Sequence, residues 1–379
     1  MRVLQVIPEL EAGGAERTTI EIAEALTAAG GAAPVASRGG RMVAELEAAG
    51  GSWIEMPVHS KNPFVAYANV KRLTDAMAAH EAQIIHARSR APAWSALLAA
   101  RRAKKLFITT YHGTYKARSA LKRFYNSVMA RGDIVIANSG FIRDYILSQH
   151  EVAPERVRVV PRGVDISRYD AANVEPGRIS AFREACGLPP YDRRPLILLP
   201  ARLTRWKGQV EAIRALAALD SQAVLALAGD AQGREAYVGE LKTLAAETGV
   251  AGRVVFAGHV HDMPAAYGAA DLVITPSVEP EAFGRTAAEA QAMGRRVIAA
   301  DHGGAREVVI PGETGWLSPP GDIDALAKTM EAALSLPESR AFAMGEAASA
   351  RIRAEYSTQA LQRATLNLYQ ELLKSDHDR

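Results

Sequence analysis

The chain has 379 residues, 48% of them hydrophobic, enough for two cores of ordinary size, so two domains are expected rather than one. A single cysteine, Cys186, excludes an intramolecular disulfide and a cysteine zinc site and fits a reducing compartment. The formal charge of +3 hides an asymmetry: residues 1–170 carry 23 Lys+Arg against 16 Asp+Glu, residues 171–379 carry 22 against 26, and residues 82–132 hold 11 cations and no acid.

No apolar run approaches the length that spans a bilayer. The opening MRVLQVIPEL, interrupted by Pro8 and Glu9, is too short for a signal peptide, so a soluble, cytoplasmic protein is expected. Short β-branched runs alternate with amphipathic helical stretches, the pattern of βαβ units around a parallel sheet. The first half reads VLQVIP, APVAS, SWIEM, AQIIHA, LFITTY, DIVIANS and RVRVV as strands, and the second reads LILLPA, VLALAG, RVVFAG, DLVITPS and RVIAA. Ligands of open α/β sheets bind outside the carboxyl ends of strands, so function is sought in the loops that follow them.

After the first strand, PELEAGGAER places Gly13 and Gly14 before a helix. Such a turn lets backbone approach a phosphate at a helix N-terminus, and it is equally an ordinary βα turn. It is not a dinucleotide fingerprint: G-x-G-x-x-G is absent, and Ala36-Ser37-Arg38 stands where a ribose-binding acid would be. Arg88 and Arg90, in HARSRAP after the fourth strand, are expected to point into the ligand cleft beyond that strand. SALKRFYNSVMARG carries Leu121, Phe124, Tyr125 and Val128 on one helical face flanked by Lys122 and Arg123, a face that reads as core with solvated cations beside it.

Residues 171–194 are rich in proline and glycine and read as the linker between a domain at 1–170 and one at 195–356. In the second half, PARLTRWKGQ puts Arg202 and Lys207 five apart in a loop closed by Gly208, where both can converge on a diphosphate. The alternative is a pair of solvated surface charges, and their place at the sheet's carboxyl edge favours the functional reading. In EPEAFGRTAAEAQAMG, Glu281 lies in a loop above the N–H groups of residues 284–287, and Glu289 points back from the second helical turn. Two such carboxylates suit paired hydroxyls, or are an acid near a helix dipole and a solvated helix residue. The last helix, residues 357–379, has Leu361, Leu368, Tyr369 and Leu372 on one face and must dock on something already built.

Taken together, ARLTRWKG, SVEPEAFGRTAAEAQAMGRRVIAAD, GGAREVVIPGETGWLSPPGD, the N-terminal GGAER and VVPRGVD resemble the retaining glycosyltransferases of family 4, over nearly the whole chain and in the right order. The resemblance implies the GT-B fold: α/β, two Rossmann-like doubly wound domains facing across a cleft, with the C-terminal helix completing the first. It implies an acceptor-binding N-terminal domain and a donor-binding C-terminal one. It further implies Glu281 on the donor hexose, Glu289 on the ribose, and Arg202 and Lys207 on the diphosphate. Backbone N–H groups near Gly14 and along Gly284, Arg285 and Thr286, beside Phe283, would complete that contact. The loop holding Gly258 and Val260 would meet the base, and His112, in TTYHGTY, would lie near the transferred sugar and the acceptor. Ala201, Ala282 and Arg162 depart from the residues commoner in the family, which has Asn where Arg162 stands.

A diphosphate leaving group needs positive charge, which Arg202, Lys207 and helix N-termini can supply. No metal and no cofactor beyond the nucleotide-sugar donor is expected. Asp322-Ile323-Asp324 reads as a helix N-cap rather than a metal site. The basic stretch suggests an anionic acceptor, a lipid-linked saccharide or lipopolysaccharide core, with cations resting on the anionic inner membrane face and no nucleic acid. A nucleotide-sugar epimerase on the same fold and a non-catalytic nucleotide-sugar binder are the rivals, and a twin-Rossmann oxidoreductase is the weakest.

Overall fold

The computed structural model describes residues 1–11 and 13–377. Ala12 of the glycine loop and the last two residues of the expected 357–379 helix lie outside the described residues. The chain divides into two compact units, Met1–Gly163 with Thr358–Arg379, and Val164–Ser357.

The first unit is built on seven parallel strands: β1 (Val3–Val6), β2 (Pro34–Ser37), β3 (Ser52–Glu55), β4 (Ile84–Ala87), β5 (Leu106–Tyr111), β6 (Ile134–Ala137) and β7 (Val157–Val159). Their order across the sheet is β3-β2-β1-β4-β5-β6-β7. Gln5 of β1 aligns with Val35 of β2 on one side and with His86 of β4 on the other. The order therefore reverses between β1 and β4, and the chain after each leaves the sheet on opposite sides of one crevice. Strands this short are specified by continuous Val, Ile and Leu runs because both faces are covered: β1, β2, β4 and β6 are buried along their whole length.

The C-terminal helix Thr358–His377 supplies Leu361, Leu368 and Tyr369 to a core that includes Val3, Ile22 and Leu26. Burying three such side chains at about 1.5–3 kcal/mol each is what docks it. Tyr369 also makes a polar link, its hydroxyl lying 2.6 Å from His86 Nδ1, while His86 Nε2 meets Thr110 Oγ1 at 2.7 Å.

The second unit has six parallel strands: β8 (Leu196–Pro200), β9 (Val224–Ala228), β10 (Val254–Gly258), β11 (Leu272–Thr275), β12 (Val297–Ala300) and β13 (Trp316–Ser318), in the order β10-β9-β8-β11-β12-β13. Strand period two divides its residues between two cores. Leu196 and Leu198 join Val224, Val273, Tyr267 and Ala290 on one face, while Ile197 and Leu199 join Leu225, Ile274, Ile213 and Met330 on the other.

Two expectations need correction. The expected boundary at 170 is displaced, for the units divide after Gly163. Residues 171–194 do not stand apart as a linker: they form a short 3-10 turn and the helix Pro176–Ala185, and Val174, Cys186 and Leu188 are buried in the second unit's core with Ile179 and Phe182 against them. Pro176 stands at the first turn of that helix, where its missing N–H costs nothing. The sixth strand, β13, was not expected. Its three residues pair with β12, and a run that short between Gly315 and Pro319 carries no periodicity.

Burial, and then the Arg88 guanidinium and His112, hold His86 well below the ordinary imidazole value of 6.5. His112 is lowered in the same way by burial, Arg162 and Arg88. Both stay neutral in the folded chain where an unfolded histidine takes a proton, so the unfolded state binds more protons below about pH 6.5 and stability falls there. Urea unfolding should show a lower midpoint at pH 5.5 than at pH 7.5, with the difference reduced in His86→Gln. Equal midpoints would contradict neutral burial.

Candidate functional site

In the second sheet the order reverses between β8 and β11, so the chain after these two strands is where a ligand site is expected. The loop after β8 runs through Arg202 into a 3-10 turn, Arg205–Lys207, and ends at Gly208 with φ of 80°. A methyl group on Gly208 would strike the carbonyl of Pro276, so only glycine lets this loop lie against the one after β11. A hydrogen bond from Val278 N–H to Trp206 O, 2.8 Å, ties the two together.

That contact is what pairs Lys207 with Glu281, 74 residues apart. Lys207 Nζ donates to Glu281 Oε1, and Ser277 Oγ donates to the same oxygen at 2.7 Å. Lys207 Nζ also lies 4.2 Å from the centre of the Trp206 ring, a cation–π contact. Glu281 Oε2 takes no hydrogen bond from the described residues and remains open as an acceptor. The loop after β12 closes in as well: Gly304 N–H donates to Glu281 O at 2.8 Å, and a Cβ on Gly303 or Gly304 would collide with backbone of residues 281–283. Gly303, Gly304 and His302, whose Nε2 sits 2.8 Å from Ser277 O, were not singled out from the sequence. The pair of glycines before AREV was the available signal.

The helix Arg285–Ala292 starts behind Gly284, whose φ is 93°. Its first intrahelical donor is Ala288, to Gly284 O, so the N–H groups of the first turn have no acceptor within the helix, as an anion site requires. Glu289 belongs to the same end but is buried. Its Oε1 accepts from Arg285 Nε at 2.9 Å and its Oε2 from the Tyr267 hydroxyl at 3.0 Å. Burial and then the Glu289 charge push the phenols of Tyr267 and Tyr169 up. Glu289 is thus an already paired carboxylate rather than the free acceptor its spacing suggested.

Arg202 is exposed and its guanidinium has no ion pair among the described residues, so it shares Lys207's loop without joining the pair. Phe283 is buried against Tyr356, ring centres 5.6 Å apart, and serves packing. Gly258, with φ of 63°, ends the edge strand β10 and Val260 follows it, beyond β9 from β8, so they stand outside the loops that meet at Glu281.

The first unit holds a second candidate site at its own reversal point. A cavity of about 290 Å³ there is lined by Glu9, Glu16, Arg88, Arg90, His112 and Tyr115 among others. Arg88 is 2% exposed and its Nε and Nη2 both donate to Gln5 Oε1; burial lowers its pKa while Tyr369 and Glu21 act in the opposite direction. A buried guanidinium bonded only to a neutral amide is uncommon, since buried cations are ordinarily ion-paired. Arg90 lies over the Tyr115 ring at 4.2 Å and donates to Asn126 Oδ1 at 3.1 Å. The helix Gly14–Ala28 begins at the same place. The space over Gly14 holds the Arg162 guanidinium, and Glu16 folds onto Gly13, so side chains already cover the expected phosphate cradle. Arg162 Nη2 is 3.1 Å from His112 Nδ1.

Residues 186–351 match the family described as Glycosyl transferases group 1, and residues 12–168 match Glycosyltransferase Family 4. The crystal structure of a glycosyltransferase from Rickettsia africae is 36% identical, each chain covering 98% of the other, with a TM-score of 0.91. Anabaena HepE in complex with UDP-glucose is 26% identical over 98% of this chain and 100% of that one, with a TM-score of 0.84. A D-inositol 3-phosphate glycosyltransferase from Xylanimonas cellulosilytica is 36% identical over 228 residues, 59% of this chain. The match spans 54% of that relative, and this chain spans about half the length of the curated relatives it matches.

The Gly208 contact gives a direct test of the second site. Gly208→Ala places a side chain at positive φ against the Pro276 carbonyl, and should cost about 1–3 kcal/mol of stability. Urea unfolding monitored by Trp206 fluorescence measures it. A loss under half a kcal/mol would mean the two loops are not held at contact.

Proposed function

The chain belongs to the group 1 glycosyltransferases of family 4, with the GT-B fold, and we propose that it moves a hexose from a nucleoside-diphosphate sugar to an acceptor hydroxyl with retention of configuration. The observation that carries this reading is the Lys207–Glu281 pair at the second sheet's reversal point, with Glu281 Oε2 open. Glu281 accepts from a hydroxyl of the donor hexose and Lys207 faces the diphosphate. Arg202, free of other partners, reaches for the same phosphates. The N–H groups opening the helix Arg285–Ala292 add to that charge. Glu289 accepts from the ribose beside Arg285 and Tyr267, since each carboxylate oxygen keeps a second lone pair. Because HepE was crystallised with UDP-glucose, uridine is the base to test first.

In the step itself, the bond between the anomeric carbon and the diphosphate oxygen breaks, and the acceptor oxygen bonds to the same carbon on the same face. The acceptor's proton passes to the leaving phosphate, so no side chain has to take it. Nucleoside diphosphate and glycoside are the products. Positive charge on the leaving group comes from Lys207, Arg202 and the helix N-terminus, so EDTA leaves the rate unchanged.

The acceptor enters at the first unit's cavity, where Arg88 and Arg90 meet an acidic group on it. The D-inositol 3-phosphate relatives make a phosphate-bearing cyclitol a fitting acceptor alongside lipid-linked saccharides. Lys207→Ala should cut turnover about a hundredfold, the loss seen when one charge-stabilising donor is removed. Glu281→Gln should lower turnover while leaving the affinity for free UDP within about threefold, because its partner is the sugar. Calorimetry with UDP and a UDP-glucose transfer assay test both; equal losses of UDP affinity in the two variants would contradict the assignment.

The helix Ala120–Ser127 supports a peripheral membrane contact. Against expectation, Leu121 is 79% and Phe124 57% exposed, and only Val128, at 0%, is core. Phe124 stacks on Trp94 at 5.0 Å with Arg131 over both rings. Exposed apolar side chains among Lys116, Arg118, Lys122 and Arg123 suit an anionic lipid surface, each cation adding about 1 kcal/mol. No helix of the described residues is long and apolar enough to cross a membrane. Vesicles containing phosphatidylglycerol should co-sediment the protein at low salt and release it at high salt, and Phe124→Asp should weaken the binding. Equal binding to neutral vesicles, or none to either, would remove the contact.

A further inference from the structure

We propose that Arg162 is a positioning residue that holds the His112 imidazole as the tautomer with its proton on Nε2, making His112 a hydrogen-bond donor toward the acceptor cavity and not a base. The inference rests on the reading that His112 meets substrate during transfer, and it adds a residue that the family resemblance marks only as a departure.

The argument begins with what a guanidinium can do. Every polar atom of arginine is an N–H donor, so the 3.1 Å contact between Arg162 Nη2 and His112 Nδ1 has one assignment: Nδ1 accepts. A neutral imidazole carries a single proton, which then resides on Nε2. Nε2 is enclosed and has no partner among the described residues, while His112 lines the 290 Å³ cavity. A buried N–H with nothing to donate to is costly, and a substrate oxygen in that cavity would relieve it.

Gly14 leaves the room that Arg162 occupies. A methyl group at residue 14 would overlap the Arg162 guanidinium and push it aside, and Gly14 is not among the glycines with positive φ, so what glycine supplies there is room rather than backbone freedom. The guanidinium consequently lies across the start of the helix Gly14–Ala28, between that helix and the loop after β5. The charged groups facing His112 are Arg162 and Arg88, with Glu9, Glu16 and Arg90 elsewhere around the cavity. A protonated His112 would have to break its bond to Arg162 and stand beside two cations. An asparagine at residue 162, the residue commoner in the family, could present either its amide or its carbonyl to Nδ1 and would leave the tautomer open.

The test is ¹⁵N NMR of histidine-labelled full-length protein, with His112→Asn to assign the resonance, alongside steady-state kinetics. In the wild type His112 should show a protonated Nε2 and an unprotonated Nδ1 from pH 8 to pH 5.5. In Arg162→Ala the signals should average between tautomers and titrate closer to 6.5. Turnover should drop about tenfold to a hundredfold, with the donor KM within about threefold, and an acid limb should enter the pH–rate profile. Arg162→Lys, which keeps a donor-only cation, should restore the tautomer and most of the rate. A wild-type Nδ1–H signal, or an Arg162→Ala spectrum identical to wild type, would overturn the proposal, and the wild-type spectrum decides even where Arg162→Ala fails to fold. The expected spectra in a protein that transfers no sugar would leave the tautomer assignment standing and count against the glycosyltransfer reading instead.

Discussion

The reversal of strand order governs where chemistry sits in this molecule. In each sheet one strand pair, β1/β4 in the first unit and β8/β11 in the second, sends its following loops to opposite faces and leaves a gap at the carboxyl edge. The residues of both candidate sites gather around these gaps. Arg88 follows β4, the glycine turn follows β1, Lys207 follows β8 and Glu281 follows β11. The strands themselves are occupied mainly by Val, Ile, Leu and Ala, and polar side chains that they bury, such as Gln5, His86 and Thr110, are hydrogen-bonded within the core. The fold thus fixes the position of the sites before any site residue is chosen.

The two sites handle charge in opposite ways. Around Glu281 the charges are balanced within the unit: Lys207 against Glu281, Arg285 against Glu289, with two phenols sharing the second carboxylate. Such pairs are half-buried or buried, so their attraction is less screened than on an open surface. Around Arg88 the balance is incomplete. Arg88 donates to the Gln5 amide, Arg90 to the Asn126 amide and Arg162 to His112, while of the two acids that line the cavity, Glu9 and Glu16, Glu9 is already paired with Arg38 at 2.5 Å. Excess positive charge in a confined space favours an anionic ligand there and adds to burial, the larger cause, in keeping His86 and His112 neutral.

Much of this was legible in the sequence, and the residues that were not share a physical reason. Strands with continuous β-branched runs, the loops that follow them and the docking of Leu361, Leu368 and Tyr369 all follow from local pattern. The pairing of Lys207 with Glu281 joins residues 74 apart, and the Arg162–His112 contact joins residues 50 apart; no periodicity encodes either. Glu289 was legible as a carboxylate near a helix start with Arg285 one turn before it on the same helix, but Tyr267, which takes its other oxygen, becomes its neighbour only when the helix Met263–Ala269 packs against it. The face of Leu121 and Phe124 shows the converse limit. Amphipathic spacing identifies an apolar face without saying what covers it, and within this chain Leu121 and Phe124 stay largely exposed.

Glycine is what converts these positions into a site. Gly208, Gly303 and Gly304 each bring one loop to within backbone contact of its neighbour, and Gly229, after β9, does the same against the Ala201 carbonyl. Four loops from adjacent strands therefore touch through main chain, with no side chain between them to rotate or yield. Main-chain contact fixes where Lys207 and Glu281 stand before a donor arrives, so binding has little of their conformational entropy left to remove. A charge already aimed at the leaving group costs no reorganisation at the moment the bond breaks, and that is where electrostatic stabilisation has its largest effect. Gly14 performs the same service for a different group: by withholding a methyl it admits the Arg162 guanidinium, and through it sets which nitrogen of His112 carries the proton.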